Sequence, residues 1–287
     1  MKKILLVGKN GQVGWELQRT LAPLGHVIAR DSRELDLSVP DAIRDAMRDI
    51  RPDLVVNAAA YTAVDKAESE PGLAWAINGD APGILAEEAK RLNALLVHYS
   101  TDYVFDGTQP GAYTEQDTPK PQSVYGQSKL AGEQAVQASG CAHLILRTSW
   151  VYGGRGKNFL LTMLRLAREK EELSVVDDQI GAPTWSRLIA ETTAQILAQR
   201  QSSSFRDGLY HLTAAGETSW HGFAQAIFAA ARLERLPRLR PIPSSEYPLP
   251  APRPKNSVLA NDKLLQNFGL AMPHWQQGLS LCLEGMA

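Results

Sequence analysis

An α/β fold built on a doubly wound parallel sheet is predicted by two features of the 287-residue sequence. Short apolar runs alternate with stretches of helical spacing, and a glycine-rich turn follows the first run. The runs fall at 4–7, 26–29, 54–59, 95–99 and 144–147. They are apolar throughout rather than alternating, as strands are when helices cover both faces of a sheet. A further run at 173–176 and a helical stretch at 187–197 are expected to extend the same sheet. After residue 152 the pattern loosens: Gly153-Gly154-Arg155-Gly156 reads as a loop, and 237–254 holds seven prolines in eighteen residues. Proline fixes φ and lacks an N–H, so that stretch is neither regular helix nor central strand. The reading is a large domain of 1–150, to which 176–204 returns, and a smaller mixed α/β C-terminal domain of 151–175 and 205–287.

Composition narrows the partners. Thirty basic residues stand against thirty-one acidic, a formal charge of −1, so no global field draws the chain to nucleic acid or to an anionic membrane. A small molecule fits better. Cys141 and Cys282 are the only cysteines and have no C-x-x-C spacing, which argues against a disulfide framework or a thiolate metal site and for a reducing cytoplasm. Met1-Lys2-Lys3 imitates the start of a signal peptide, but the apolar run ends at Gly8. No stretch is long enough to span a bilayer, and no repeat or low-complexity tract occurs. His26, His98, His143, His211, His221 and His274 include no pair at ligand spacing, so no metal is expected from them.

Gly8-Lys9-Asn10-Gly11-Gln12-Val13-Gly14 directly follows the first run, and a helical stretch opens at Trp15. In that context Gly8 permits a tight turn, Gly11 lets backbone approach a pyrophosphate, and Gly14 permits close helix–strand packing, with the anion at the helix N-terminus. This makes the large domain a Rossmann-type dinucleotide-binding domain, with Gly8, Asn10, Gly11, Gln12 and Val13 at the cofactor and the smaller domain left for substrate. Arg30-Asp31-Ser32-Arg33 ends the second run. An acidic residue there takes the ribose hydroxyls of NAD, whereas arginine accommodates the 2′-phosphate of NADP. Arg30, Ser32 and Arg33 point to NADPH, with NADH the alternative; a solvated charged turn is the other reading of the same residues.

Tyr125 and Lys129 stand four apart on an amphipathic stretch, which puts phenol and ammonium on one helix face. A ketone that receives hydride becomes an alkoxide and needs a proton donor. A positive neighbour is expected to bring a phenol, ordinarily near pKa 10, closer to neutrality. Lys129 also suits a grip on the nicotinamide ribose. Thr101 follows the fourth run, at the carboxyl edge where open parallel sheets bind ligands, and can donate to a carbonyl.

With these residues the chain closely resembles the extended short-chain dehydrogenase/reductase family, whose Ser/Thr–Tyr–Lys triad falls on Thr101, Tyr125 and Lys129. The likeness runs nearly end to end, through Gly8 to Gln18, Val56 to Glu68, Ser100 to Gly107, Leu146 to Tyr152, Asp178 to Thr184 and Pro252 to Ser257. It implies that Gly11-Gln12-Val13, Asp36-Leu37, Ala60-Tyr61-Thr62 and Tyr99 line the cofactor, with Asp36 near the adenine. It further implies that Thr101, Asp102, Tyr125 and Trp150 meet a sugar and Arg253 the nucleotide part of a nucleotide-sugar substrate, a role a guanidinium fork suits independently. The implied reaction is hydride delivery from the nicotinamide to a C4 ketone, with Tyr125 protonating the new oxygen. A homodimer is implied by the family alone.

Some members hold magnesium between subunits through glutamates. Glu16 falls at one such position and Arg187 where a second acidic ligand is expected, so no metal is expected here. Three rival functions share the fold. Dehydratases place an Asp-Glu pair after the threonine, and here Asp102 precedes Tyr103. Epimerases keep their cofactor through a whole cycle, and non-catalytic regulatory subunits keep the glycine loop while losing the triad, all of which is retained here.

Overall fold

Strand β1 (Lys3–Val7) leads into helix α1 (Gln12–Thr20), strand β2 (His26–Arg30), helix α2 (Pro40–Ile50) and strand β3 (Leu54–Asn57). Two short helices, α3 (Val64–Ser69) and α4 (Pro71–Trp75), then run through a π-helical turn at Ala76–Asp80 into α5 (Ala81–Arg91). Strand β4 (Leu95–Thr101), helix α6 (Val124–Ser139) and strand β5 (His143–Thr148) complete this half. The rest carries β6 (Val151–Tyr152), α7 (Phe159–Glu169), β7 (Glu172–Val176), β8 (Ile180–Gly181), β9 (Thr184–Trp185) and α8 (Ser186–Ala198). It ends with β10 (Gly208–His211), β11 (Thr218–Ser219), α9 (Trp220–Ala230), β12 (Arg238–Ile242), α10 (Asp262–Phe268) and α11 (Trp275–Glu284). This computed structural model describes residues 1–203, 205–231 and 236–286; the remainder of the expected 205–287 piece, 232–235 and 287, lies outside the described residues.

Six strands form one parallel sheet in the order β10-β5-β4-β3-β1-β2. Strand β1 is flanked by β2 on one side and by β3 on the other, so the winding reverses between β1 and β3. Ligands of open α/β sheets bind outside the carboxyl ends of strands at such a reversal. Successive strand residues face opposite ways, and each face is covered. Ile4, Leu6, Val56 and Val97 pack with Leu17 of α1 and with Ile189 and Ile196 of α8. Leu5, Val7, Val55 and Leu96 pack with Ile43 and Met47 of α2, Leu85 of α5 and Val136 of α6. Each such side chain stabilises the fold by about 1.5–3 kcal/mol through leaving water. A third cluster joins Tyr152, Leu160, Val175, Trp185, Phe223, Ile227, Trp275 and Cys282.

Two sequence expectations are corrected. Segment 173–176 does not extend the large sheet; it lies in β7, which pairs with β12 in a separate two-stranded sheet. That pairing admits Pro241 because an edge strand has a side without ladder bonds. Segment 208–211, assigned with the smaller domain, instead forms the sixth strand of the large sheet beside β5. Tyr210 and Leu212 then join the same core as Leu264 and Phe268 of α10. The run is short and begins at Gly208, so it gives little periodic signal. No helix among the described residues is long and apolar enough to cross a membrane.

The sheet buries His211 beside Arg147, and burial and that guanidinium push its imidazole down to about 3. Unfolded, the group titrates near 6.5, so its contribution is full above pH 6.5. It is lost progressively as pH falls toward 3, by up to about 1.4 kcal/mol per pH unit. Buried His98 acts in the same direction, while Asp102, pushed up to about 6 by burial, acts oppositely between 3.8 and 6. The urea midpoint is therefore expected to drop between pH 7 and pH 5. His211→Leu should flatten that slope, and an unchanged slope in the variant would contradict the assignment.

Candidate active site

The crevice at the winding reversal is lined first by the glycine turn. Gly8 adopts φ +88°, and a Cβ there would lie 2.7 Å from the Ala59 nitrogen. A Cβ on Gly14 would lie 2.1 Å from the Gly8 carbonyl oxygen, so α1 starts directly against the turn. At Gly11 the nearest protein atom to a Cβ, the Gly8 oxygen, is 3.3 Å away. Gly11 caps α1 with no side-chain hydrogen bond, which leaves N–H groups of the first turn to an anion. This cradle fits a dinucleotide pyrophosphate. Gln12 ties it to the later chain, donating to the Val151 carbonyl at 3.3 Å and accepting from Asn158 at 2.9 Å. Val13 packs instead against the sheet core.

At the end of β2 the Asp31 carboxylate accepts from Asn10 at 2.9 Å and from the Arg33 backbone at 3.0 Å, with Lys9 at 3.8 Å. These hydrogen bonds and the Lys9 charge hold Asp31 below the usual carboxylate range. Arg30 is half-buried, while Ser32 and Arg33 are exposed beyond it. Asp36 is exposed and accepts from Ser38 through both backbone and hydroxyl, which lowers its pKa. Leu37 turns into the core beneath α2.

Beyond β3, half-buried Ala60 and Tyr61 and exposed Thr62 continue the rim. Asn78, in the π-helical turn, holds this segment by accepting from Tyr61 N at 2.8 Å and donating to its carbonyl at 3.1 Å. The Tyr61 phenol donates to Glu70 at 2.5 Å. Asn78 escaped the sequence reading; an asparagine inside a helical stretch carries no motif, although a π-bulge often marks a functional site.

Thr101 closes β4, donating to Asp102 Oδ1 at 2.9 Å and accepting from Tyr103 N at 3.2 Å. Burial pushes the Asp102 carboxyl up to about 6, against the nearby Ser257 and Thr101 hydroxyls. Helix α6 begins at Ser123, whose hydroxyl accepts from Gly126 N at 3.1 Å. A Cβ on Gly126 would lie 2.2 Å from the Tyr103 carbonyl oxygen, so only glycine lets the helix sit on the turn after Thr101. That contact brings Tyr125, the preceding residue, to Thr101. Glycine inside a helix signals close packing, and Gly126 stands between the two triad residues.

Tyr125 is half-buried, with the edge of Tyr103 at 5.6 Å. Burial pushes its phenol up to about 12, opposed by the Thr101 hydroxyl. The expected acidification by Lys129 is therefore overturned. The amine is itself buried and pushed down to about 8 by that burial, with Glu133 opposing. Its Nζ donates to the Tyr99 carbonyl at 2.6 Å. Tyr99 contributes that oxygen alone, since its ring lies in the core with its hydroxyl 2.7 Å from Thr193.

Trp150 adopts φ +46°, a strained conformation for a bulky residue. It stacks on Trp220 with ring centroids 3.5 Å apart and donates to Ser257 Oγ at 3.1 Å. Trp220 covers one face of Trp150, and Gly181 lies against the same indole, where a Cβ would fall 2.4 Å from Cε2. Arg253 donates to Asp65 at 2.9 Å and to the Ala251 carbonyl at 3.0 Å, with its guanidinium 5.8 Å from the Tyr103 ring. It thus stands at the site, but paired. Glu16 pairs with Arg19 and Arg187 with Glu191, and no cluster of three metal-ligating residues occurs among the described residues.

Comparison with known proteins places these features in context. Residues 1–287 match the family described as the RmlD substrate binding domain. The chain is 52% identical to a dTDP-4-dehydrorhamnose reductase of Burkholderia thailandensis, over 99% of each chain. Among solved structures, a dTDP-4-dehydrorhamnose reductase of Clostridium acetobutylicum has a TM-score of 0.93 at 38% identity, covering 99% of both chains. One from Bacillus anthracis, in complex with NADP, has a TM-score of 0.91 at 37% identity, again covering 99% of both.

Proposed function

On the premise that this chain belongs to the RmlD substrate binding domain family, we propose that it reduces the C4 ketone of dTDP-4-dehydro-L-rhamnose to give dTDP-L-rhamnose, using NADPH. The observation that supports this reading is the seating of α6 on the turn after Thr101, which brings Tyr125 to Thr101 and carries Lys129 one helical turn further on. We assign the cofactor to 1–150 with 176–204 and the substrate to 151–175 with 205–287, the latter lending 208–211 and the α10 core to the sheet.

Gly8, Gly11 and the first turn of α1 would hold the pyrophosphate. Arg30, Ser32 and Arg33 favour the 2′-phosphate, because Asp31, the carboxylate that would repel it, is already engaged by Lys9 and Asn10. When bound, NADPH supplies the hydride. Tyr125 supplies the proton: at pKa about 12 it stays protonated at rest, and releases its proton only as a far more basic alkoxide develops at the sugar oxygen. Thr101, hydrogen-bonded to Asp102 and to the phenol, orients Tyr125. Lys129, charged below about pH 8, stabilises the phenolate left behind. Trp150 meets the sugar, and Arg253 turns from Asp65 to the diphosphate. Tyr103, half-buried and with its phenol pushed above its ordinary range, does not replace the glutamate a dehydratase needs.

The test is spectrophotometric: oxidation of NADPH and NADH is followed with dTDP-4-dehydro-L-rhamnose and, separately, with its unprocessed 4-keto precursor. Turnover of the first sugar with a preference for NADPH is expected. Failure of both nucleotides to be oxidised, or equal turnover of the precursor, would refute the assignment.

A further inference from the structure

His98 is completely buried on β4, directly opposite Asn57 of β3 in the sheet register. Its Nδ1 lies 3.2 Å from Asn57 Nδ2, and its Nε2 lies 3.3 Å from Lys129 Nζ. The Asn57 side-chain oxygen accepts from Ala59 N at 3.2 Å, which fixes the orientation of the amide and points its NH2 at Nδ1. A nitrogen that accepts carries no proton, so the neutral ring carries its proton on Nε2. An imidazolium would set donor against donor at both nitrogens. We propose that His98, held by Asn57 as the Nε2–H tautomer, is a positioning residue that donates to the neutral amine of Lys129 and so keeps that amine ready to exchange its proton. The role rests on the reductase reading above.

The geometry constrains Lys129 in a specific way. The Tyr99 carbonyl accepts from amine and ammonium alike. An Nε2–H can bond only to the lone pair of the neutral amine, and it opposes the ammonium. The other charged group acting on this amine is Glu133, on its own helix. Glu133 favours the ammonium, although Arg147 binds both its oxygens. Burial and the His98 N–H act against Glu133, and the pKa of about 8 agrees in direction. The use in turnover is a balanced proton transfer. The ammonium N–H bond breaks, the phenol O–H bond re-forms on Tyr125, and a neutral amine remains that His98 stabilises until water returns a proton. From a group near 8 to one near 12 this transfer is downhill.

The experiment uses the full chain labelled with 15N-histidine, with the His98 signals identified by their loss in His98→Gln. Long-range 1H–15N spectra between pH 6 and 9 should show His98 as the neutral Nε2–H tautomer, its shifts moving with a midpoint near 8 as Lys129 titrates. An Nδ1–H tautomer or an imidazolium overturns the proposal. In kcat/KM profiles the alkaline limb belongs to loss of the Lys129 proton. His98→Leu removes the opposing N–H and should move that limb up by about one pH unit, a tenfold change in the proton equilibrium. His98→Gln, whose amide can still donate, should fall closer to the parent. A limb that stays in place while activity falls at every pH marks a merely structural role and also overturns the proposal. Were the parent inactive on the keto sugar, the reductase reading would fail while the spectra still decide the tautomer.

Discussion

Tyr125→Phe is expected to lower kcat/KM for ketone-dependent NADPH oxidation by about 10²–10⁴-fold, the usual worth of a positioned general acid. The substitution removes one oxygen and keeps the ring that meets the edge of Tyr103 at 5.6 Å, so α6 has no reason to move. NADPH affinity, read by quenching of tryptophan fluorescence, should change less than threefold, because the pyrophosphate cradle lies on α1. Thr101→Val should cost less than Tyr125→Phe, since it removes an orienting hydroxyl rather than the proton itself. Retention of more than a third of the activity by the phenylalanine variant would mean that another group supplies the proton. Asp102, pushed up to about 6 and in contact with Thr101, would then be the first to examine.

The sheet and the triad were legible in the sequence for one physical reason. Strands covered on both faces write themselves as unbroken apolar runs, and turns that approach backbone closely write themselves as glycine. Gly8 and Gly14 carry both the local signal and the packing consequence. What stayed hidden depends on contacts between residues distant in sequence. Lys129 was read as the acidifier of Tyr125 from their spacing alone. Burial of both groups reverses the balance, and burial comes from β4 and the π-helical turn. His98, Asn78 and Trp220 gain meaning only from partners that lie 31, 17 and 70 residues away, at Lys129, Tyr61 and Trp150. The sixth strand escaped for a similar reason: 208–211 becomes a strand by adding to β5, not by its own propensity.

Glu133→Ala should destabilise the protein by about 3–5 kcal/mol, the cost of stranding a buried charge. Arg147 on β5 donates to both Glu133 oxygens, at 2.9 and 2.6 Å, and the two side chains are 4% and 2% exposed. Its third nitrogen, Nη1, has no partner among the described residues, and the guanidinium lies 5.0 Å over the Phe105 ring, so nothing nearby replaces the carboxylate. The double variant Glu133→Leu, Arg147→Met removes both charges and should recover most of the loss. Urea unfolding at pH 7 measures both, and a loss below about 1 kcal/mol for the single variant would place Arg147 in contact with water after all. The same substitution carries a second, opposite signature. Glu133 favours the Lys129 ammonium, so its removal should move the alkaline limb of kcat/KM down, whereas loss of His98 moves it up. Two variants on either side of one amine, shifting one limb in opposite directions, would separate electrostatic control of Lys129 from general loosening of α6.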